Sequence, residues 1–358
     1  MTESWPIYAF LLGQAVLTGL FLQFLPRWTR QDLFFAITVA PEFRATPQGL
    51  AILRGYRTDM GVHTLVAAVA IASGLGAERL WIAMAGVLWQ VVGVFAAFLR
   101  ARRRVMPHAA PIATVREAQM TLRDARSEVP LFLRVGFPLP LLALGALALY
   151  LGRVWDRIPD RFATHWNLAG APDRWSDKSA ETVFGGLLLA ASIGGVMWLA
   201  GYATLRWSRR IHAAGPAAAQ EDRFRVAVAT CLLLASGLLV VMTAWAALLP
   251  LRSDADGPPS ATGFLAGVAV FMAAIVVLLV RNRPGRIAPA PGAPAGDRTE
   301  DRFWKAGLFY VNADDPALLI EKRFGIGYTL NLGHPWAWVL AAALLGAPWL
   351  ILLLIRQL

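Results

Sequence analysis

The segment RVWDRIPDRFATHWNLAGAPDRWSDKSAE, residues 153–181, lies between two long apolar runs and decides how the rest of the chain is organised. It contains five basic and five acidic residues, and Pro159, Gly170 and Pro172 favour fixed turns. Three large aromatic side chains are available to pack within it: Phe162, Trp166 and Trp175. We therefore expect an ordered polar loop that joins two helices.

The composition on either side of this loop is that of a membrane protein. Of 358 residues, 57% are hydrophobic and 16% are charged, and the mean hydropathy is +0.52. The apolar residues come in runs of about 20, the length that a helix needs to cross a bilayer. The single cysteine, Cys231, lies inside such a run, which excludes a disulfide framework and a cysteine metal site.

Eight apolar runs predict the fold class. We expect an all-α polytopic membrane protein with about eight transmembrane helices and a small cytoplasmic β unit near the C-terminus. The predicted spans are 5–25, 61–77, 80–99, 135–152, 182–205, 226–249, 262–280 and 336–355.

The distribution of lysine and arginine predicts the orientation. Loops 26–60, 101–133, 206–225 and 281–335 carry 24 of the 34 basic residues, whereas the opposite side carries 8. Because basic loops stay in the cytoplasm, both termini and segment 153–181 are expected outside a bacterial inner membrane. This bias explains the net charge of +11, so no nucleic-acid partner is expected.

The predicted spans and loops divide the chain into six regions. Regions 1–133, 134–205 and 206–283 are membrane regions with three, two and two helices. Residues 284–300 form a Pro/Ala/Gly-rich linker, 301–335 a small cytoplasmic β unit, and 336–358 the last helix.

Several inner segments carry local signals. The β-prone runs 34–40 and 114–116 predict short strands, and the polybasic run 102–104 predicts an anchor to anionic lipid. Near the C-terminus, runs 308–311 and 317–320 flank the turn signal NADDP, and a further β-prone run follows at 328–332. These runs predict a β unit of two or three strands.

Segment 153–181 also contains a cluster of one histidine and two carboxylates, for which we compare a metal or acid–base site with a structural role. A metal or acid–base site at His165, Asp160 and Asp173 is the less favoured interpretation, because the spacing matches no zinc pattern and basic residues compete for the carboxylates. In the favoured interpretation, His165 and Asn167 hydrogen-bond the turn backbone, and the two aspartates pair with arginine. No metal or cofactor is expected.

A resemblance adds to this interpretation. Segment 158–178 resembles the signature of a bacterial membrane-protein domain of unknown function that is best known from the SdpI family of toxin-immunity and signalling proteins. The matching residues are Ile158 to Arg161, Thr164 to Asn167, Gly170, Pro172-Asp173, Trp175 and Lys178. Ala163 and Ala171 depart from this signature, where the family usually has a proline and commonly an acidic residue. The resemblance implies a binding role for the outer loop, with candidate residues Asp160, His165, Trp166, Asn167, Asp173 and Trp175.

Residues 301–335 resemble a second small uncharacterised domain, which opens with WKAGLFYVNADDPA and closes with KRFGIGYTLNLG. That resemblance implies a structural role inside the β unit for Trp304, Gly307, Tyr310, Asn312, Asp315, Pro316, Gly325, Gly327 and Asn331.

The sequence predicts a protein without catalytic activity. The apolar runs have no central charged residue, which disfavours a coupled transporter, and the sequence has none of the common hydrolase motifs. We expect an immunity, sensing or signalling accessory protein. Its partners would be the lipid bilayer, a peptide toxin or envelope component outside, and a cytoplasmic regulator inside. The alternative is a passive transporter or facilitator of a small molecule or lipid, and a membrane hydrolase comes third.

Overall fold

The computed structural model describes residues 5–30, 32–77, 79–110, 129–166, 172–208, 215–252, 261–282, 300–342 and 346. In these residues the protein is mostly helical, with small antiparallel strand pairs. Five helical segments are long and apolar enough to cross a membrane, and Ala266–Asn282 is a shorter apolar helix. The five are Pro47–Gly76, Trp81–His108, Leu131–Arg153, Ala180–Trp207 and Ala218–Leu251.

Eight α-helices account for most of the predicted spans. A further helical turn begins at 335, so most of the eighth predicted span, 336–355, lies outside the described residues. The helices are α1 Trp5–Trp28, α2 Pro47–Gly76, α3 Leu80–Val105, α4 Leu131–Gly136, α5 Pro138–Arg153, α6 Ala180–Trp207, α7 Gly215–Leu248 and α8 Ala261–Asn282.

The span predicted at 135–152 is two helices instead of one. The short α4 ends at Gly136, and α5 begins at Pro138, whose ring nitrogen has no hydrogen to donate to the preceding turn. Phe137, at the junction, fills the space that a side chain at Gly201 of α6 would need. The break between α4 and α5 therefore lies near one end of the span, and the ring of Phe137 packs against α6.

The helices pack in two groups. In the first, α2 lies against α1 and α3, and Tyr56 donates its hydroxyl to the carbonyl of Leu22 at 3.0 Å. Gln90 of α3 donates to the carbonyl of Ala15 at 2.7 Å. In the second group α6 and α7 pack together with α5 and α8, and α8 also contacts α1. Helices α2 and α7 begin well before their predicted spans, so both extend beyond the apolar layer.

The β-prone run 34–40 forms a tight hairpin, where a single strand was predicted. Strands β1 Leu33–Phe34 and β2 Ile37–Thr38 pair antiparallel through a turn at Phe35 and Ala36. These two residues have φ of 46° and 60°, which non-glycine residues adopt at a cost of about 1–3 kcal/mol each. Both are fully buried, so the surrounding packing holds the strained turn. We call residues 32–40 the N-terminal hairpin. The other β-prone run, 114–116, lies outside the described residues.

Residues 301–335, the C-terminal unit, contain two short hairpins. Strands β5 Trp304–Lys305 and β6 Phe309–Tyr310 form one, and β7 Leu319–Glu321 and β8 Tyr328–Leu330 form the other. In the outer loop between α5 and α6, strands β3 Arg161–Trp166 and β4 Pro172–Asp177 form a further hairpin. A bridge between Tyr310 and Asn331 joins the two hairpins of the C-terminal unit. The predicted β-prone runs 308–311, 317–320 and 328–332 overlap β6, β7 and β8, whereas β5 was not predicted, so the unit has four strands where two or three were expected.

The C-terminal unit and the basic loops meet at one end of the helices, which we call the basic face. Ala110 after α3 donates to the carbonyl of Thr38 at 2.9 Å, Ser208 after α6 bridges to Leu319, and Phe224 of α7 packs against Tyr328. Because α6 is 28 residues long, or about 42 Å, its other end and segment 153–181 lie at the opposite end. The described parts of these loops thus lie together at one end of the helices, as the count of lysine and arginine predicted. The assignment of this basic face to the cytoplasm stays a prediction.

Cysteine labelling tests the orientation. In a Cys231→Ala background, an impermeant thiol reagent applied to intact cells should label Arg174→Cys in segment 153–181 and spare Asp314→Cys in the C-terminal unit. Both side chains are exposed, so accessibility from outside decides the result. Labelling both variants in permeabilised cells is the control, and the reverse pattern in intact cells would invert the orientation.

Candidate functional site

The outer loop is a β-hairpin on a helical base. Strands β3 Arg161–Trp166 and β4 Pro172–Asp177 pair antiparallel, with Phe162 opposite Ser176 and His165 opposite Arg174. The register shifts around His165, so β3 carries a bulge that turns its side chains locally. The sequence predicted an ordered loop with turns but gave no alternating pattern clear enough to predict strands. We call residues 161–177 the outer hairpin.

The base of the outer hairpin is fixed by apolar packing. Ile158 and Phe162 are 3% and 7% exposed and belong to one buried cluster with side chains of α5 and α6. Trp155 stacks on Phe184, with ring centroids 5.9 Å apart and planes 9° from parallel. The cluster members from the helices are Leu144, Leu151, Val183, Leu187 and Ala190. The hairpin is therefore held at a set position above the helices.

Lys178 closes the base through polar contacts. Its Nζ donates to the carbonyl of Ile158 at 3.0 Å, lies 3.0 Å from the Asp160 carboxylate, and sits 5.7 Å from the Trp155 ring. Its backbone nitrogen donates to the carbonyl of Asp160 at 2.7 Å. Helix α6 then begins at once, because Ser179 and Thr182 exchange hydrogen bonds as a capping box. Strand, loop base and helix start are thus one continuous structure.

Five of the six candidate binding residues are described, four on this hairpin and Asp160 directly before it. His165 Nδ1 is 2.5 Å from Asp173 Oδ1 across the strands, and these side chains are 58% and 43% exposed. Asp160 is 97% exposed beside Lys178, and Trp175 is 49% exposed. The structure therefore pairs Asp173 with histidine and Asp160 with lysine, where arginine partners were predicted. Trp166 ends strand β3, and Asn167 lies outside the described residues.

The pair of His165 and Asp173 offers two potential metal ligands. A search of the described part of the chain finds no group of three or more histidine, cysteine or carboxylate side chains that could hold a metal ion. An exposed histidine–carboxylate contact of this kind mainly fixes the two strands relative to each other, and its net free energy is about 0–1 kcal/mol. The exposed tryptophan and this polar pair form a surface that can contact a ligand.

Asn331 organises the C-terminal unit at the other end of the protein. It is completely buried, and its Nδ2 donates to the carbonyls of Asn312, Asp315 and Ala317 at 2.8, 2.9 and 3.2 Å. Its Oδ1 accepts from the backbone nitrogens of Asn312 and Gly333 at 3.0 and 3.1 Å. One amide side chain therefore fixes the turn that was predicted at residues 312–316.

The neighbouring residues of that turn are also bonded internally. Buried Tyr310 donates its hydroxyl to Asp315 at 2.8 Å, and Asp315 accepts from the backbone of Ala317 at 3.0 Å. Pro316 is exposed on the turn. Gly325 and Gly327 have φ of +96° and +114°, a conformation that favours glycine, in the loop between β7 and β8. The structural roles that the resemblance implied for these residues stay a prediction.

A buried arginine connects the C-terminal unit to the N-terminal hairpin. Arg323 is 1% exposed, pairs with Asp301, and lies 5.5 Å from the ring of buried Trp304. Its Nη2 donates to the hydroxyl of Thr38 at 3.3 Å, and that hydroxyl donates to Asp301 at 2.8 Å. No sequence pattern indicated this contact, because Thr38, which bonds to both Arg323 and Asp301, lies 285 and 263 residues away from them along the chain.

A second arginine completes this contact from α3. Arg102 donates to the carbonyl of Ala36 at 2.8 Å. At Gly307, where φ is +75°, a β-carbon would lie 2.7 Å from Arg102 Nη1 and 2.9 Å from Ala36. Glycine is therefore required there by both conformation and space. Arg102 was predicted to be a lipid anchor, whereas its side chain is 8% exposed overall and bonded to protein.

Comparison with known proteins finds two matches to family models. Residues 141–190 match a domain of unknown function (DUF1648), and residues 313–338 match a family of unknown function (DUF5808). The first match covers α5, the outer hairpin and the start of α6, and the second covers most of the C-terminal unit. No curated protein and no solved structure matches the chain. The two regions that the sequence singled out thus belong to recognised domains whose functions are not known.

Two substitutions separate packing from polar contact in the outer hairpin. Phe162→Ala should lower the free energy of unfolding by about 3–5 kcal/mol, because it empties a buried site. His165→Ala should cost no more than about 1 kcal/mol, because its contact is exposed. The thermal midpoint of detergent-solubilised protein, measured with and without a chelator, checks both values. A chelator effect present in the parent and lost in His165→Ala would instead establish a metal site.

A third substitution tests the anchor of the C-terminal unit. Arg323→Met should destabilise the docked unit by about 3–5 kcal/mol, because it leaves Asp301 without its buried cation. Hydrogen exchange of backbone amides in residues 301–335 should speed up accordingly. Arg302→Met is the matched control, since Arg302 is 70% exposed in its ion pair with Glu300. Equal exchange in the two variants would contradict the anchoring role.

Proposed function

We propose that this protein is a non-catalytic membrane sensor, of the immunity or signalling-accessory kind, that binds a peptide or envelope component on its outer hairpin. The observation that carries the proposal is the exposed Trp175 on a hairpin whose base is fixed between α5 and α6. A rigid aromatic side chain offers a large contact area and loses little rotamer entropy on binding.

The form of the hairpin favours an extended peptide as ligand. Among the described residues the outer sheet has two strands, so each strand has one edge without a strand partner. Such an edge can accept a third strand through backbone hydrogen bonds, while pockets or rings beside it select the side chains. Exposed Asp160, Arg161, Asp173 and Arg174 put both signs of charge next to Trp175, so the surface can pair with charged groups of either sign.

A direct physical connection runs from the hairpin to the basic face. Helix α6 begins at the capping box directly after β4 and ends beside the C-terminal unit, where Ser208 bridges to Leu319 and accepts from Arg225 of α7. A ligand that shifts the start of α6 would therefore displace contacts of the C-terminal unit. This arrangement supports an output to a cytoplasmic regulator at the basic face.

The resemblance to the SdpI family supports the same class of function. In this chain the linker and the C-terminal unit replace the helices that usually end proteins of that family. We therefore propose sensing or signalling as the output, with immunity as one form that it takes.

A passive facilitator is the second candidate, and one observation favours it. His63 Nδ1 and Thr64 Oγ1 are buried in the α1–α3 group with no hydrogen-bond partner among the described residues. Buried polar atoms of this kind can contact a polar solute that crosses the membrane. In this candidate His63→Leu would abolish uptake of that solute, and the outer hairpin would have no role in it.

The experiment that separates the two candidates targets the tryptophans. Deleting the gene should change sensitivity to a membrane-active peptide or the expression of neighbouring genes, with little effect on nutrient uptake. Trp166→Ala combined with Trp175→Ala should reproduce the deletion at normal protein level, because it removes the largest contact area.

Trp81→Ala is the matched control, because Trp81 is 68% exposed at the start of α3 and lies outside the hairpin. If the double tryptophan variant behaves like the parent, the sensor proposal fails and the facilitator takes its place.

A further inference from the structure

The junction of α1 and α2 at the basic face carries a half-buried arginine, Arg57, with two buried nitrogens that lack hydrogen-bond partners in the described part of the chain. These nitrogens are Nε and Nη2 of the guanidinium group, and both are shielded from solvent. A shielded cation normally acquires an anion or several acceptors, because removing it from water is costly. The site is therefore incomplete as the chain alone builds it.

A second arginine makes the local charge more positive. The Arg57 guanidinium carbon lies 5.7 Å from the centre of the Phe24 ring, and that of Arg27 lies 5.6 Å from the same centre. Two cations share one ring, and a bound counter-ion would relieve their mutual repulsion. Two acids of the neighbouring segments have other partners, since Asp59 pairs with Arg100 at 3.1 Å and Asp32 pairs with Arg30 at 3.0 Å.

Arg44, in contrast to Arg57, has backbone carbonyl acceptors for its guanidinium nitrogens. Arg44 donates to the carbonyls of Pro26, Thr29 and Arg30 at the end of α1. These carbonyls are the acceptors that a helix C-terminus offers, and Arg44 already occupies them. Arg57 contacts the Phe24 ring of the same helix, and its Nε and Nη2 have no such acceptor among the described residues.

The position of the site matches a membrane surface. Phe24 is 41% exposed, and Arg27 is exposed in the last turn of α1, directly after the predicted span 5–25. Arg57 lies one helical turn before the predicted span 61–77 of α2. An exposed phenyl ring between two arginines thus lies at the boundary where acyl chains give way to headgroups.

We propose that Arg57 and Arg27 form a binding site for a phosphate anion, supplied by the headgroup of an acidic phospholipid in the leaflet at the basic face. The Arg57 nitrogens donate to phosphate oxygens, Arg27 adds the second positive charge, and Phe24 contacts the upper part of the acyl chains. This inference is independent of the proposed sensor function, because it concerns the opposite face of the protein.

Lipid titration tests the site. The purified full-length protein in a neutral detergent is titrated with phosphatidylglycerol or phosphatidylcholine, and bound lipid is counted by native mass spectrometry. We expect a tight phosphatidylglycerol-binding event in the parent that Arg57→Gln weakens about tenfold or more, in line with loss of a charge-assisted hydrogen bond. Arg27→Gln should weaken the same event.

Arg54→Gln is the matched control, since it removes one exposed positive charge from α2 one turn away and should leave the event intact. If Arg57→Gln does not fold, Arg27→Gln decides, because its side chain is exposed. Competition by inorganic phosphate that depends on Arg57 would confirm that the site recognises the phosphate group of the headgroup. Equal phosphatidylglycerol binding in the parent, Arg57→Gln and Arg27→Gln, or equal loss in Arg54→Gln, would overturn the proposal.

Discussion

The ion pair between Arg323 and Asp301, with Thr38 between them, is the contact on which the arrangement of the basic face depends. A guanidinium that is 1% exposed must be fully paired, because an isolated charge in such surroundings would cost more than the fold can supply. The available partners come from the N-terminal hairpin and the start of the C-terminal unit. The N-terminal hairpin and the C-terminal unit are therefore held in one position. Phe324 of the C-terminal unit packs against the aromatic rings of Phe35 and Phe98.

The strained turn of the N-terminal hairpin follows from the same contact. Phe35 and Ala36 adopt positive φ without glycine, and the carbonyl of Ala36 accepts from Arg102 and from Arg323. The hydrogen bonds and the burial of Phe35 offset the backbone cost of the turn. Gly307 permits the close approach of the C-terminal unit to this turn. The N-terminal hairpin and the C-terminal unit thus form a small folded structure at the basic face, built from segments that are remote in sequence.

The end of the protein that carries the outer hairpin is held together by different interactions. The outer hairpin is attached by apolar packing of Ile158 and Phe162 and by the bonds of Lys178, while its upper part exposes His165, Asp173 and Trp175. Fixed attachment with an exposed polar and aromatic surface is what a binding element requires, because little ordering entropy is lost on contact. Between the two ends, large apolar side chains are widely exposed, such as Val270 at 71% and Leu142 at 65%. In a bilayer this exposure is favourable, because lipid replaces water around them.

The sequence by itself determined the membrane-protein class, most of the helices and the grouping of the basic loops, because these follow from the length of apolar runs and from local charge. It also located the outer loop and the turn at residues 312–316, since proline, glycine and asparagine specify turns locally. It did not determine the N-terminal hairpin, whose FFAI turn lacks the usual glycine or asparagine, or the partners of Arg102 and Arg323. Those features were decided only by the tertiary structure, because strained turns and buried ion pairs are stable only when residues distant in sequence surround them.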